Sequence, residues 1–161
     1  MQKVALRQIR RDDLDQVIAL QAASLPVEYD RQRVWDGLFD HYVYHTFVAV
    51  GTDGTVVGFV LSWDDLIVSL AVTAKYRRCA IGGNLLRLCM NSHFPERVRL
   101  HVSVDNVGAQ KLYFATGFVE KRRLARFYKN PVSDALLLER SKATAQWFDV
   151  PYEIDLHASA D

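Results

Sequence analysis

The segment Tyr76-Arg77-Arg78-Cys79-Ala80-Ile81-Gly82-Gly83-Asn84-Leu85-Leu86 holds the residue types that grip an anion without a metal. Small residues, two of them consecutive glycines, open directly into an apolar run with helical spacing. In such a loop backbone N–H groups converge on one point, the dipole of the following helix adds partial positive charge, and Arg77 and Arg78 add formal charge. The ligand that suits it is a diphosphate. An ordinary strand-to-helix turn, in which Gly82 and Gly83 only permit close packing, uses the same residues, and a short glycine motif does not separate the two readings. Cys79 and Cys89 sit ten apart with no His or Cys at metal spacing. They build neither a disulfide framework nor a zinc site, so reduced thiols and no metal are expected.

The elements around this loop follow from hydrophobic spacing. Before it, Leu66–Val72 is a nearly continuous apolar run, the pattern of a central strand buried on both faces. After it, Gly82–Ser92 reads as a helix stopped before Pro95, Val98–Val104 as a strand, and Val107–Ala115 as a helix with Gly117 as its C-cap. Phe118–Arg122 and Ala135–Glu139 are the last strands, joined by a basic, aromatic connection whose charges read as a solvated hairpin edge or as a surface that attracts acidic residues of a substrate. Toward the N-terminus, Val4, Leu6 and Ile9 suggest a strand, and Asp12 or Asp13 caps a helix carrying Leu14, Val17, Ile18 and Leu20. Pro26 interrupts the pattern at Ser24–Tyr29, and a second amphipathic helix starts at Asp30 with Val34, Trp35, Leu38, Phe39 and Tyr42. Thr46–Val50 and Val56–Trp63 form a hairpin about Asp53-Gly54. The order is mixed α/β.

The chain has 161 residues, half of them hydrophobic and 24% charged, with a formal net charge of +1. That length suits one domain, since domains cluster near roughly 100–150 residues. The near-neutral balance disfavours nucleic acid as a partner. No apolar run approaches the roughly 18 residues of a membrane span, and Met1–Arg7 lacks the apolar block of a signal peptide, so a cytoplasmic protein with no membrane partner is expected. Residues 1–140 read as the domain. Residues 141–161 read as an appended C-terminal tail whose apolar cluster at Trp147, Phe148 and Val150 docks either on the domain or on a partner, and which lacks the basic amphipathic pattern of a membrane-surface helix.

The loop resembles motif A of the GNAT acetyltransferase superfamily, Arg/Gln-x-x-Gly-x-Gly/Ala, with Arg77, Ala80 and Gly82 at the marked positions. About twenty residues on, Asn106, Ala109, Tyr113 and Gly117-Phe118 match the Asn-x-x-Ala-x-x-x-Tyr-x-x-x-Gly-Phe spacing of motif B. The resemblance covers roughly residues 3–140 and implies a central, mostly antiparallel twisted sheet of about seven strands flanked by about four helices. It also implies acetyl-CoA as cosubstrate and direct attack of an amine on its thioester. Carried over, the cofactor-binding positions are Leu70, Ala71, Val72, Arg77, Arg78, Cys79, Ala80, Ile81, Gly82, Gly83, Asn106 and Tyr113. Backbone N–H groups at Leu70–Val72, where the family splays its central strand by a bulge, would stabilise the oxyanion. Asn106 either binds the cofactor or caps its helix. Ala80 replaces the family's middle glycine and is expected in the right-handed backbone region.

Within that chemistry His101, in Leu-His-Val, is the candidate general base, and Tyr113, a phenol with a reference pKa of about 10, the candidate general acid. The plain structural alternatives are a buried imidazole bonded to backbone and a core aromatic. Leu25-Pro26-Val27-Glu28-Tyr29 is similar to the Phe-Pro-Val/Ile-x-Tyr substrate loop of N-terminal acetyltransferases of the NatE and NatF catalytic-subunit type. This implies a peptide or protein N-terminus as acceptor, Met followed by a hydrophobic residue, and an auxiliary subunit as a possible partner. The substrate-binding positions carried over are Leu25, Pro26, Val27, Tyr29, His101, Phe127 and Tyr128. Two residues depart from that pattern: Leu66 stands where the family has a catalytic tyrosine, and Phe127 where it has tyrosine. They leave two other readings open, an enzyme for a small-molecule amine or one ribosomal protein, and a catalytically weak acyl-CoA-binding subunit. If a proton carrier replaces the tyrosine, Asp64 and Asp65 are candidates.

Overall fold

The computed structural model of the chain describes residues 2–24, 44–92, 96–129, 131–141 and 148–156. In order they form β1 (Lys3–Gln8), α1 (Leu14–Ser24), β2 (Tyr44–Gly51), β3 (Val56–Trp63), β4 (Leu66–Val72), α2 (Ile81–Ser92), β5 (Arg97–Ser103), α3 (Val107–Ala115), β6 (Val119–Lys129), β7 (Val132–Ser141) and β8 (Glu153–Asp155). The helix expected from Asp30 lies outside the described residues. The entry to α1 is fixed by Asp13, which is buried and accepts from both ends of the Arg7 guanidinium at 2.6 and 2.9 Å and from the Arg10 N–H at 2.7 Å. The β2–β3 turn forms at Asp53-Gly54 as expected, with Gly54 at φ 85° and the Asp53 carboxylate accepting from Thr55 N–H.

The strands form one sheet in the order β6-β7-β5-β4-β3-β2-β1-β8. Every neighbouring pair is antiparallel except β4 and β5, which run parallel and pair only at Leu66–Arg99 and Ile67–Leu100. Beyond those two rows β4 and β5 part. On the other side of β4, Leu61 faces Ser69 and Ser62 faces Ile67, so Val68 is an extra residue, a bulge that bends β4 away from β5.

Apolar side chains fill both faces. One core joins α2 and α3 to the sheet through Ile81, Leu85, Leu86, Tyr113, Val98, Leu100 and Val102; the other sets Val17 and Leu20 of α1 on Val48, Phe59 and Leu61. Gly58 lets α2 approach β3 this closely, because a Cβ there would stand 3.2 Å from the Ala71 carbonyl oxygen and the Leu85 side chain. The expectation of a central strand covered on both faces is only half right. β4 is central, but Leu66, Val68, Leu70 and Val72 are partly open while Ile67, Ser69 and Ala71 are buried. Strand separation uncovers the residues beside the gap.

An eighth strand goes beyond the expected seven. Glu153–Asp155 pairs with Lys3–Ala5 at the sheet edge, and Phe148 lies against the guanidiniums of Arg87 and Arg140 while exchanging two hydrogen bonds with the Asn91 side chain. Three residues reading Glu-Ile-Asp carry too little alternation to announce a strand.

Candidate active site

After β4 the chain makes a 3-10 turn at Ala74–Tyr76, straightens at Arg77 and enters α2 through two left-handed residues, Arg78 and Ala80, both at φ 62°. Ala80 therefore does not lie in the right-handed region as its sequence suggested. The reason is geometric. The chain must turn from an extended residue into a helix start within three positions, and alternating left-handed residues make that turn while aiming successive amides at one side. The N–H groups of Ile81, Gly82 and Gly83 belong to the first helical turn and have no acceptor within α2. Arg77 folds back so that its Nε donates to the Val72 carbonyl at 3.3 Å, and the Cys79 thiol lies against the Arg77 carbonyl.

Neither glycine of the pair is demanded by packing. A Cβ on Gly82 would find only ordinary contacts, 3.6 Å from Val72 and 3.7 Å from Leu112, and one on Gly83 would displace only the tip of the Arg87 side chain. Close packing does not require glycine here, in contrast to Gly58. What bare backbone provides is unobstructed approach to the amides, which fits a diphosphate.

Because Ala80 holds a left-handed conformation that costs an L-residue about 1 kcal/mol, Ala80→Gly should raise stability by about that amount in thermal unfolding. Affinity for CoA should change by less than about tenfold in calorimetry, since the loop already holds its shape. A gain far above tenfold would mean that the alanine methyl blocks the ligand.

Thr73 donates its N–H to the Val57 carbonyl, so alternation along the β3–β4 ladder turns the Ala71 amide toward β3 and those of Leu70 and Val72 toward the gap. Of the three residues named from the sequence, Leu70 and Val72 turn their amides to the gap, and Ala71 is buried against the α1 core. The bulge itself sits at Val68, two residues earlier than expected. Asn106 caps α3, its side-chain oxygen accepting from the Ala109 N–H at 3.2 Å.

His101 lies on β5 with its side chain on the face opposite Val98, Leu100 and Val102. It is half-buried, and its ring stacks on Phe127 with centroids 4.6 Å apart; Phe127 in turn meets Tyr128 edge-on at 5.0 Å. Register puts Leu66 and Arg99 on this same face. Leu70 and Val72 pack toward the α2 side, so the gap between β4 and β5 connects the loop's face with that of His101. Burial, then the charges of Arg99 and Arg122, hold the imidazole below its ordinary pKa of about 6.5. It is neutral at physiological pH, as a base must be.

Activity should therefore fall only when pH drops below about 6.5. The acid limb of kcat/KM lies below the ordinary histidine value, and removing the Arg122 charge moves it upward. A limb above 6.5, or one unmoved in Arg122→Gln, would contradict this environment.

Asp65 is no substitute proton carrier. Both carboxylate oxygens bond Arg99 at 2.9 Å, Arg97 stands 3.5 Å away, and these cations hold its pKa below the usual range. The sequence did not announce this clamp, whose partners are 34 positions apart. Asp64 is exposed at the β3–β4 turn with φ 55°. Tyr113 is 7% exposed, anchors α3 in the core edge-on to Phe118, and has its pKa raised by burial and by Tyr128. A phenol so placed keeps its proton. The core role is realised, and a donor role remains compatible with it. Leu25, Pro26, Val27 and Tyr29 lie outside the described residues.

A row of free amides at a helix start thus lies beside a pair of splayed strands, with the His101 imidazole on the other side of the gap. Residues 14–118 match the acetyltransferase (GNAT) family. The chain belongs to that family and is an acetyl-CoA-dependent acyltransferase. An N-alpha-acetyltransferase of Saccharolobus solfataricus is 31% identical over 155 residues, covering 84% of this chain and 91% of the relative. Among solved structures, Arabidopsis thaliana Naa50 in complex with the bisubstrate analogue CoA-Ac-MVNAL superposes with a TM-score of 0.72 at 28% identity, covering 86% of this chain and 98% of that one. The NatC complex bound to Gag peptide and CoA shares the fold, with a TM-score of 0.77 at 22% identity and coverages of 86% and 98%. Among the described residues there is no cluster of metal-ligating side chains and no helix long and apolar enough to cross a membrane.

Proposed function

We propose that this chain acetylates the α-amine of protein N-termini, with Met followed by a hydrophobic residue as the preferred acceptor. The observation that carries the reading is the neutral His101, stacked on Phe127 across the gap from the amide cradle. An α-amine has a reference pKa near 7.7–8.0 against about 10.4 for lysine, so a histidine base suffices for the first and is poorly matched to the second. His101, directly or through one water, takes the proton of the acceptor ammonium. The free amine nitrogen then bonds the thioester carbon, and the oxyanion meets the Leu70 and Val72 amides. The carbon–sulfur bond breaks and the leaving sulfur takes a proton from Tyr113; the second proton, which the nitrogen sheds on acylation, returns through water to the Tyr113 oxygen, and His101 keeps the first until it passes to solvent.

The names of the relatives above support this acceptor class. Leu66, which carries no proton, favours a second reading: an acyl-CoA-binding subunit that turns over weakly. Purified protein assayed on a peptide library beginning Met-Leu, alongside lysine side-chain peptides and polyamines, tests both. The proposal expects the Met-Leu peptides to be acetylated in preference. Turnover confined to polyamines or lysine side chains overturns it, and tight CoA binding without turnover favours the second reading.

A further inference from the structure

One member of the basic run Lys121–Lys129 shares the sheet face of His101. In the ladder β6-β7-β5, Arg122 lies opposite Leu137 and Leu137 lies opposite His101. Arg122 and His101 therefore share one face and one row, two strand spacings or about 10 Å apart between Cα atoms. The other guanidiniums nearby are engaged: Arg99 with both oxygens of Asp65, Arg97 with Asp65 and Glu139, and Arg123 with Asp134 at 2.9 Å. Lys121 and Arg126 fall where the β6–β7 register shifts and have no place in that row. Arg122 is exposed and has no ion-pair or hydrogen-bond partner among the described residues. Its charge nonetheless reaches His101, as one of the causes that keep the imidazole neutral.

We propose that Arg122 selects acceptors carrying a carboxylate at their third residue. This rests on the reading of an α-amine acceptor given above. The amine must come within reach of His101, and an extended chain advances about 3.3 Å per residue. The third residue then lies about 7 Å from the amine, on the same side of the strand as the first, and a Glu side chain spans the remaining distance to a guanidinium. An Arg–carboxylate fork adds direction, whereas a lysine at that place meets like charge.

The test compares Met-Leu-Glu, Met-Leu-Gln and Met-Leu-Lys peptides of otherwise identical sequence. Expected is a kcat/KM for the Glu peptide about fivefold above the Gln peptide, carried by KM and reduced by added salt, as for a partly exposed ion pair. Arg122→Gln should bring the ratio to about one, and Arg122→Glu should invert it in favour of lysine. Lys3→Gln, which removes a positive charge paired with Glu153 at the far edge of the sheet, should leave the ratio as in the wild type. A wild-type ratio near one, or a preference that persists in Arg122→Gln, overturns the role of Arg122. Acetylation of all three peptides without discrimination would still leave the α-amine reading standing; acetylation of none, with CoA bound normally, removes both.

Discussion

Replacing His101 by alanine should lower turnover on an N-terminal peptide by about 10²–10⁴, the usual contribution of a positioned general base. CoA binding should stay close to wild type. The two effects separate because the imidazole lies across the β4–β5 gap from the cradle, against Phe127 and not against the loop. Among the described residues Asp65 is locked by Arg99, and Leu66 occupies the matching face of β4 without a titratable atom, so neither takes its place. Steady-state kinetics with calorimetric CoA binding checks this. An unchanged rate would remove His101 from the mechanism, and a loss of CoA affinity equal to the loss of rate would make its role structural.

The second large effect concerns what holds the cradle in place. Leu85, on the inner face of α2, is fully buried, and a Cβ on Gly58 would come within 3.2 Å of it, so there is no slack through which the site can collapse. Leu85→Ala should then cost about 3 kcal/mol, within the range for leucine truncation in rigid cores. For a domain of this size that lowers Tm by about 6–12 °C. Saturating CoA should raise the Tm of the variant and the wild type alike, because ligand linkage acts on the folded state and the loop amides are intact. A loss under about 1 kcal/mol would show that α2 is held by something other than its seat on β3.

The same contrast explains what the sequence could and could not announce. The strands flanking the loop, α2 and α3 are legible because their apolar spacing is local, and His101 and Phe127 each stand out in the sequence, but only the ladder brings them together at 4.6 Å. The bulge at Val68 was not legible, since it is a property of two registers, β4 against β3 and β4 against β5. Ala80 misled because residue type argues against a left-handed backbone, and here the turn into α2 overrides that preference. The Asp65–Arg99 clamp and the row joining Arg122 to His101 depend on which strands become neighbours. No spacing along the chain encodes that.

The central claim is that amides between Arg77 and Gly83 hold the CoA diphosphate and thereby aim the thioester through the β4–β5 gap at His101. A crystal structure with bound acetyl-CoA tests it most directly. Diphosphate oxygens should lie about 2.7–3.2 Å from those amides, with the thioester carbonyl near the Leu70 and Val72 N–H groups. The imidazole should be in reach of the acyl carbon's attacking side directly or through one water. A diphosphate bound elsewhere, or a His101 ring turned from the gap with no bridging water, would contradict it.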